Sequence, residues 1–328
     1  MNINMQVFDN KTNRLLNISE VVGNIKILSY IEGQPGKCTF DVPNLPNVVW
    51  GEGSTVFLYV DGYPAFKGYI TELNLTERGN SITCLDALFY LKNKDYGVYE
   101  NVTSSDIASQ VCSKVVIPFR NVDSSSFICP PKVIDNDTYF NHIKYGLDYT
   151  LAMTREYYIL RCNFGTIEHV NIKSLDSGLL IADRHGLESY TLKSKISEET
   201  YNQIKLYTEN SDTNKREVYI VNDSVNGGDT LRQWGLLQKT EKVDEKLNPA
   251  QIEAKAMGML TLYNKPTRDI TLTGLPGDFR VSAGSLISVS IADTGIGNLN
   301  EKLLATEVSH ELENKVHTMT LKAKVVTL

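Results

Sequence analysis

The sequence predicts a β-rich α+β fold, and three observations carry that prediction. Hydrophobic residues make up 41% of the chain and charged residues 22%, an ordinary globular balance, with enough Tyr, Ile, Val and Thr to favour strands. Both ends of the chain read as β-rich runs broken by turn residues. Helical spacing is confined to the middle and to one later segment. At 328 residues the chain exceeds what one core usually fills, since domains cluster at about 100–150 residues. The expected divisions are a first β-module at 1–92, a helix-and-hairpin insert at 93–185, and a second β-module with a leading helix at 186–328.

In the first module, Asp61-Gly62 and Arg78-Gly79 punctuate three β-rich runs beginning at Val56, which predicts a meander. Val56, Leu58 and Val60 alternate with Phe57 and Tyr59, so one set fills a core and a second apolar face remains. A neighbouring subunit, or the insert or N-terminal strands of the same chain, would cover it. The insert opens at Thr103-Ser104-Ser105-Asp106, a polar start leading to Ile107, Val111 and Val115 in a helix that Pro118 ends. A second helix is expected from near Asp137, with Phe140, Ile143, Leu147 and Leu151 as its apolar stripe, followed by a hairpin around Phe164-Gly165. Strands are expected near TYNQIKLYT and in NKREVYIV, then an exposed loop from Asn222-Asp223 to Gly227-Gly228. Asn248 as N-cap and Pro249 at the first helical position open a helix carrying Ile252, Ala256 and Leu260. Strands return after it.

The two ends also resemble each other. GYITELNLTERGNSITCLDAL and ATEVSHELENKVHTMTLKAKV each hold a strand, a charged turn and a returning strand, preceded by TVFLYVDGYPAF and SLISVSIADTGIGN. The shared order predicts an internal duplication.

Several function classes are disfavoured. A formal charge of −6 without a dense Lys/Arg block argues against gripping nucleic acid by its phosphates. The first residues are polar, without the apolar region of a signal peptide, and no run of 18 apolar residues occurs, so no membrane span is expected. Cys38, Cys84, Cys112, Cys129 and Cys162 are odd in number and scattered, without a C-x-x-C pair, which reads as buried free thiols.

Candidate chemistry is sparse. Of His142, His169, His185, His310 and His317, only the last two are placed to meet: with Glu313-Asn314 as a two-residue turn they face each other. That turn has no glycine to fix the register, and no third ligand follows from spacing, so neither a metal nor a cofactor is expected. Glu198-Glu199 and Asp135-Asp137 read as solvated acids, because glycoside hydrolysis needs two carboxyls facing across a cleft. Gly227-Gly228 and the loop from Asp293 to Gly297 read as loop tips rather than phosphate cradles. No nucleophile elbow, zinc-protease or phosphate-loop motif is present, so no catalytic residue is assigned.

The segments VFLYVDGYPAFKGYITELN and SITCLDALFYLKNKDYG, the helical insert, W-G-L-L at 234–237 and the terminal SHELENKVHTMTLKAK together resemble the baseplate hub proteins of contractile tails. That family includes late control gene D products and the hub half of type VI secretion spikes. The resemblance implies two tube-like β-barrel modules per chain and a homotrimer, whose six similar modules match a sixfold tail tube while its threefold axis matches a central spike. It further implies a tape-measure or LysM-type adaptor as partner, assembly in the bacterial cytoplasm, and a place in a virion or tailocin baseplate. The expected subunit contacts are Phe57, Tyr59 and Tyr69 on the early hairpin and His317 and Met319 on the late one. The competing expectation is a cell-wall glycan-binding module or hydrolase of a phage tail.

Overall fold

The computed structural model describes every residue except 32, 46, 47, 49, 183–186, 210–214, 244–246, 327 and 328. His185 and the expected division at 185–186 therefore lie outside the described residues. The fold is α+β and dominated by strands, with two β-modules and a helix-containing insert.

The first module contains β1 (Ile3–Asp9), β2 (Arg14–Asn17), β3 (Gly23–Tyr30), β4 (Lys37–Val42), β5 (Thr55–Val60), β6 (Tyr63–Leu75) and β7 (Asn80–Leu85), in the sheet order β3-β4-β7-β6-β5-β1-β2. Met5, Val7, Ile27, Phe40, Val56, Leu58, Ile70 and Ile82 meet in one buried cluster to which Leu312 and Phe279 are the contributors from beyond residue 85. The sheet thus covers its own apolar face, as a rolled sheet does. Asp61 and Gly62 take φ of 50° and 82° between the paired residues Val60 and Tyr63, the primed turn that an Asp-Gly pair favours. Arg78-Gly79 instead closes a four-residue connection, because Leu75 pairs with Asn80.

The insert holds β8 (Lys94–Tyr99), α1 (Ser104–Lys114), β9 (Phe119–Asn121), β10 (Lys132–Thr138), α2 (Tyr139–Thr154), β11 (Tyr158–Asn163) and β12 (Thr166–Asn171). Thr103 and Asp106 form a reciprocal capping box at the start of α1. The helix ends at Lys114, before Pro118 restricts the chain. The buried face of α2 lies one step round from the expected stripe and consists of Tyr139, His142, Ile143, Gly146 and Thr150. Gly146 explains the offset: a Cβ there would lie 3.0 Å from the Ser104 Cα and from the Ile107 Cδ1, so the close approach to α1 selects the glycine face.

After β13 (Asp176–Ala182) and β14 (Ser189–Lys195), the chain forms a separate compact unit, residues 192–269, and returns to the first unit, residues 1–191 and 270–328. The smaller unit packs α4 (Pro249–Tyr263) on β15 (Gln203–Glu209) and β16 (Arg216–Asn222), with α3 (Thr230–Trp234) and β17 (Gln238–Lys242) completing it. Its core joins Ile252, Ala256 and Leu260 to Ile204, Leu206 and Val221. Asn248 caps α4 in a second capping box, with Pro249 at the first turn. The loop after Asn222 departs from the expected exposed loop: Asp223 is buried, and its carboxylate accepts the Thr230 N–H at 2.6 Å and the Asn264 side-chain amide at 2.5 Å. A Cβ on Gly228 would lie 2.1 Å from an Asp223 oxygen, so this glycine serves a close approach rather than a loop tip.

The larger unit is completed by β18 (Thr267–Pro276), β19 (Leu286–Ile291), β20 (Leu299–Glu313) and β21 (Val316–Val325). β20 pairs with β21 along one edge, and with β19 and then β3 along the other. The β3–β20 ladder, from Ile25 opposite Leu312 to Tyr30 opposite Glu307, joins both modules in one thirteen-stranded sheet. Among the described residues no helix is long and apolar enough to cross a membrane.

Candidate assembly site

The two hairpins that resemble each other in sequence share a specific backbone irregularity. In β6–β7 the register passes from Ile70 opposite Cys84 to Glu72 opposite Thr83, leaving Thr71 as an extra residue. In β20–β21 it passes from Ala305 opposite Ala323 to Glu307 opposite Lys322, leaving Thr306 in the same role. Each extra threonine donates its hydroxyl to the carbonyl opposite the following glutamate: Thr71 to Thr83 at 3.4 Å, Thr306 to Lys322 at 3.0 Å. The residue before each bulge is held alike. Ile70 donates its N–H to the Ser54 carbonyl and accepts from Gly53, at 2.9 and 2.8 Å; Ala305 donates to Ser285 and accepts from Gly284, at 2.9 and 2.8 Å. Gly53 and Gly284 have φ of 81° and 92°, the left-handed region open to glycine. The paired Gly-Ser and Thr-Glu dipeptides are legible in the sequence once the bulge says where to look.

The apolar face opposite the first core is partly covered from within the chain. Phe164, at the β11–β12 turn, sits 6.3 Å from the Phe57 ring and 5.1 Å from the Tyr59 ring, and Lys67 Nζ lies 5.5 Å from the Phe57 centroid. Of the two covers expected for this face, the insert supplies one; Phe57 and Tyr59 remain half-buried. Tyr69 is also half-buried and meets Tyr90 edge-on at 5.3 Å. His317 is half-buried, whereas Met319 is only 4% exposed and packs inward opposite His310.

His310 and His317 do meet, by a different register from the one expected. The turn residues are Asn314 and Lys315, with φ of 51° and 63°, and His317 pairs with Leu312. The rings approach diagonally, with His310 Nδ1 3.0 Å from His317 Nε2. His310 Nε2–H donates to the Val281 carbonyl at 2.9 Å, which leaves Nδ1 as the acceptor of a His317 Nε2–H bond. Phe279 stacks between His317, at 4.3 Å, and Tyr63, at 5.5 Å. Burial lowers the pKa of both imidazoles, that of His310 to about 4.

His142, His169, Glu198 and Asp137 sit within local hydrogen-bond sets. His142 bonds Tyr99 Oη and the Asp95 carbonyl, and His169 bonds Ser104 Oγ and the Asp123 carbonyl. Glu168, fully buried and not singled out by the sequence, is held by Arg120, Arg161 and Asn163. Glu198 pairs with Lys195 at 2.6 Å, and Asp137 accepts from Thr138 and Asn141 at the start of α2. At the 293–297 loop, Gly295 and Gly297 take φ of 84° and 99°, and Thr294 bonds back to the Gly297 carbonyl. The five cysteines are free, and burial raises each thiol's pKa.

The family model described as YQBQ-like matches residues 25–324. The phage-like element PBSX protein XkdQ of Bacillus subtilis (strain 168) is 25% identical over 281 residues, covering 82% of this chain and 81% of its own. The tail protein from Neisseria meningitidis MC58 superposes with a TM-score of 0.70 at 13% identity, over 99% of this chain and 97% of that one. The E. coli c3393 protein, a component of the type VI secretion system described as similar to bacteriophage T4 tail proteins gp27 and gp5, superposes with a TM-score of 0.55 at 10% identity, over 94% of this chain and 74% of that one.

Proposed function

Because the chain belongs to the YQBQ-like family, we propose that it is a structural tail protein and serves as the baseplate hub of a contractile tail, a homotrimeric adaptor between a sixfold tail tube and a threefold central spike. The observation that carries this reading is the same bulged hairpin built twice into one continuous sheet. Three chains would present six such hairpins around a single axis, the number a sixfold ring requires, while the rest of the chain keeps threefold symmetry. The tail-protein fold of the Neisseria structure and the similarity to bacteriophage T4 tail proteins gp27 and gp5 described for E. coli c3393 support the same reading. In it the chain does no chemistry, assembles in the bacterial cytoplasm, leaves in a virion or tailocin baseplate, and also meets a tape-measure or LysM-type adaptor.

The proposed subunit contacts are Phe57, Tyr59, Tyr69 and His317, all half-buried in the lone chain, with Met319 supporting the second hairpin from inside. Light scattering of the chain with its spike partner should give the mass of three chains plus the bound spike, and Phe57→Asp or Tyr59→Asp should lower that mass while circular dichroism stays unchanged. A stable monomer or dimer with the spike bound would sink the adaptor reading. So would peptidoglycan turnover that survives repurification and is abolished by one carboxylate substitution, which would favour a cell-wall hydrolase.

A further inference from the structure

We propose that His310 and His317 are the two protein ligands of a divalent transition-metal site of the copper or nickel type, completed by water. Neither the family nor the hub reading assigns a metal to this chain; because the hub reading places His317 at a subunit contact, the site is proposed for the free chain, where His317 is half-buried, and is tested there. The sequence argues against a metal on two grounds, that no glycine fixes the hairpin register and that no third ligand follows from spacing; the structure bears on the first. It fixes the register through the positive-φ pair Asn314 and Lys315, and brings two ring nitrogens to 3.0 Å. One of them already presents a lone pair: His310 Nε2–H is bound to the Val281 carbonyl, the outer bond that orients most metal-ligating histidines and leaves Nδ1 free to coordinate. On the other ring the Nε2 proton would move to Nδ1, a change of tautomer that leaves His317 neutral and frees Nε2 for the ion. No net proton is released.

The spacing selects among metals. Two metal–nitrogen bonds of about 2.0–2.1 Å that end on nitrogens 3.0 Å apart enclose an angle of roughly 95°. That is close to the adjacent-ligand angle of tetragonal or octahedral Cu²⁺ and Ni²⁺; a tetrahedral Zn²⁺ site would need the nitrogens about 0.3 Å farther apart, and affinity for such ligands also rises toward Cu²⁺ along the divalent series. The rings are held where they are by packing. Phe279 stacks on His317 and lies 4.9 Å from His310, and a Cβ on Gly277 would come within 2.1 Å of the His317 ring. His317, but not the buried His310, lines a surface cavity together with Met1, Tyr63, Asp278 and Arg280, so an ion and its waters would reach the pair from the His317 side. Among the described residues no group of three or more His, Cys, Asp and Glu is arranged to hold a metal, so the affinity should be modest.

The test is calorimetric titration of the full chain with CuCl₂, NiCl₂ and ZnCl₂, with melting temperature as a second readout. We expect one equivalent of Cu²⁺ or Ni²⁺ to bind, Zn²⁺ more weakly, and His317→Gln to weaken binding at least about tenfold, in line with the loss of one of two imidazole ligands. His310→Gln should do the same; if that variant unfolds, the half-buried His317 variant still decides. Met1 lies at the same cavity, so the titration is repeated on N-terminally acetylated chain. No saturable binding at about millimolar metal, affinity unchanged in both histidine variants, or binding lost on acetylation alone would each overturn the proposal and leave a hydrogen-bonded histidine pair only.

Discussion

Asp86 closes β7 and caps the turn of 3-10 helix that follows, accepting the Leu88 N–H at 3.0 Å. Its carboxyl is buried between the backbone at Gly36 and the Cys162 side chain, and burial pushes its pKa from the ordinary 3.8 up to about 7. The folded chain therefore holds this proton more tightly than the unfolded chain does. Below the ordinary value both states are protonated and the group leaves stability intact; as pH rises the unfolded state releases its proton first, so stability falls until the folded state also releases it near pH 7. Asp86→Asn keeps an acceptor for Leu88 and should flatten that decline, which is on the order of a few kcal/mol. Urea midpoints at pH 4.5 and 7.5 compare the two proteins, and equal slopes would refute the assignment. At Gly68 the constraint is steric. A Cβ there would lie 2.5 Å from the Leu85 carbonyl and 2.6 Å from the Phe66 ring, so Gly68→Ala should destabilise the first module by about 1–3 kcal/mol in the same assay.

The β20–β21 turn places a lysine where the backbone favours glycine. Lys315 has φ of 63°, and non-glycine residues in this region lose about 1–2 kcal/mol. Lys315→Gly should therefore raise stability by about 0.5–1 kcal/mol, net of the extra freedom glycine gains when unfolded, measured as a higher urea midpoint. The same turn shows what the sequence could convey. The Asp61-Gly62 turn and both capped helices were legible because each depends on a few adjacent residues with a local mechanism. The His310–His317 contact was legible only as proximity, since a hairpin register shifts when its turn moves by one residue and every opposition changes with it. The buried face of α2 departs from its apolar stripe because a glycine contact between helices outweighs the larger apolar residues. Phe164 and Glu168 give no periodic signal: one is a turn aromatic and the other a buried acid neutralised by Arg161 across its own hairpin and by Arg120 from a strand 48 residues away.

On the scale of the whole chain, the smaller unit is an insertion into the larger one. β14 and β18 carry the chain out and back, with Ser189 and Thr273 hydroxyls 2.6 Å apart, and the core of Ile204, Leu206, Val221, Ile252 and Leu260 lies wholly within residues 192–269. Replacing residues 192–269 by a short linker should leave the rest of the chain folded, with a cooperative melt and a strand-dominated circular dichroism spectrum. A molten or insoluble product would show that the two units depend on each other for stability.

The β3–β20 ladder also sets an order of events during synthesis. β3 ends at Tyr30, yet the strand that pairs with its open edge begins at Leu299, and the first module's core takes Leu312 from that strand. A ribosome adding about 5–20 residues per second needs tens of seconds to cover that gap. Throughout that interval the nascent first module carries an unpaired edge, the kind of surface on which neighbouring chains on one message can pair wrongly. Translation of the last hairpin is the event that seals the first module, so the speed of elongation and the company of chaperones bear directly on the yield of native protein.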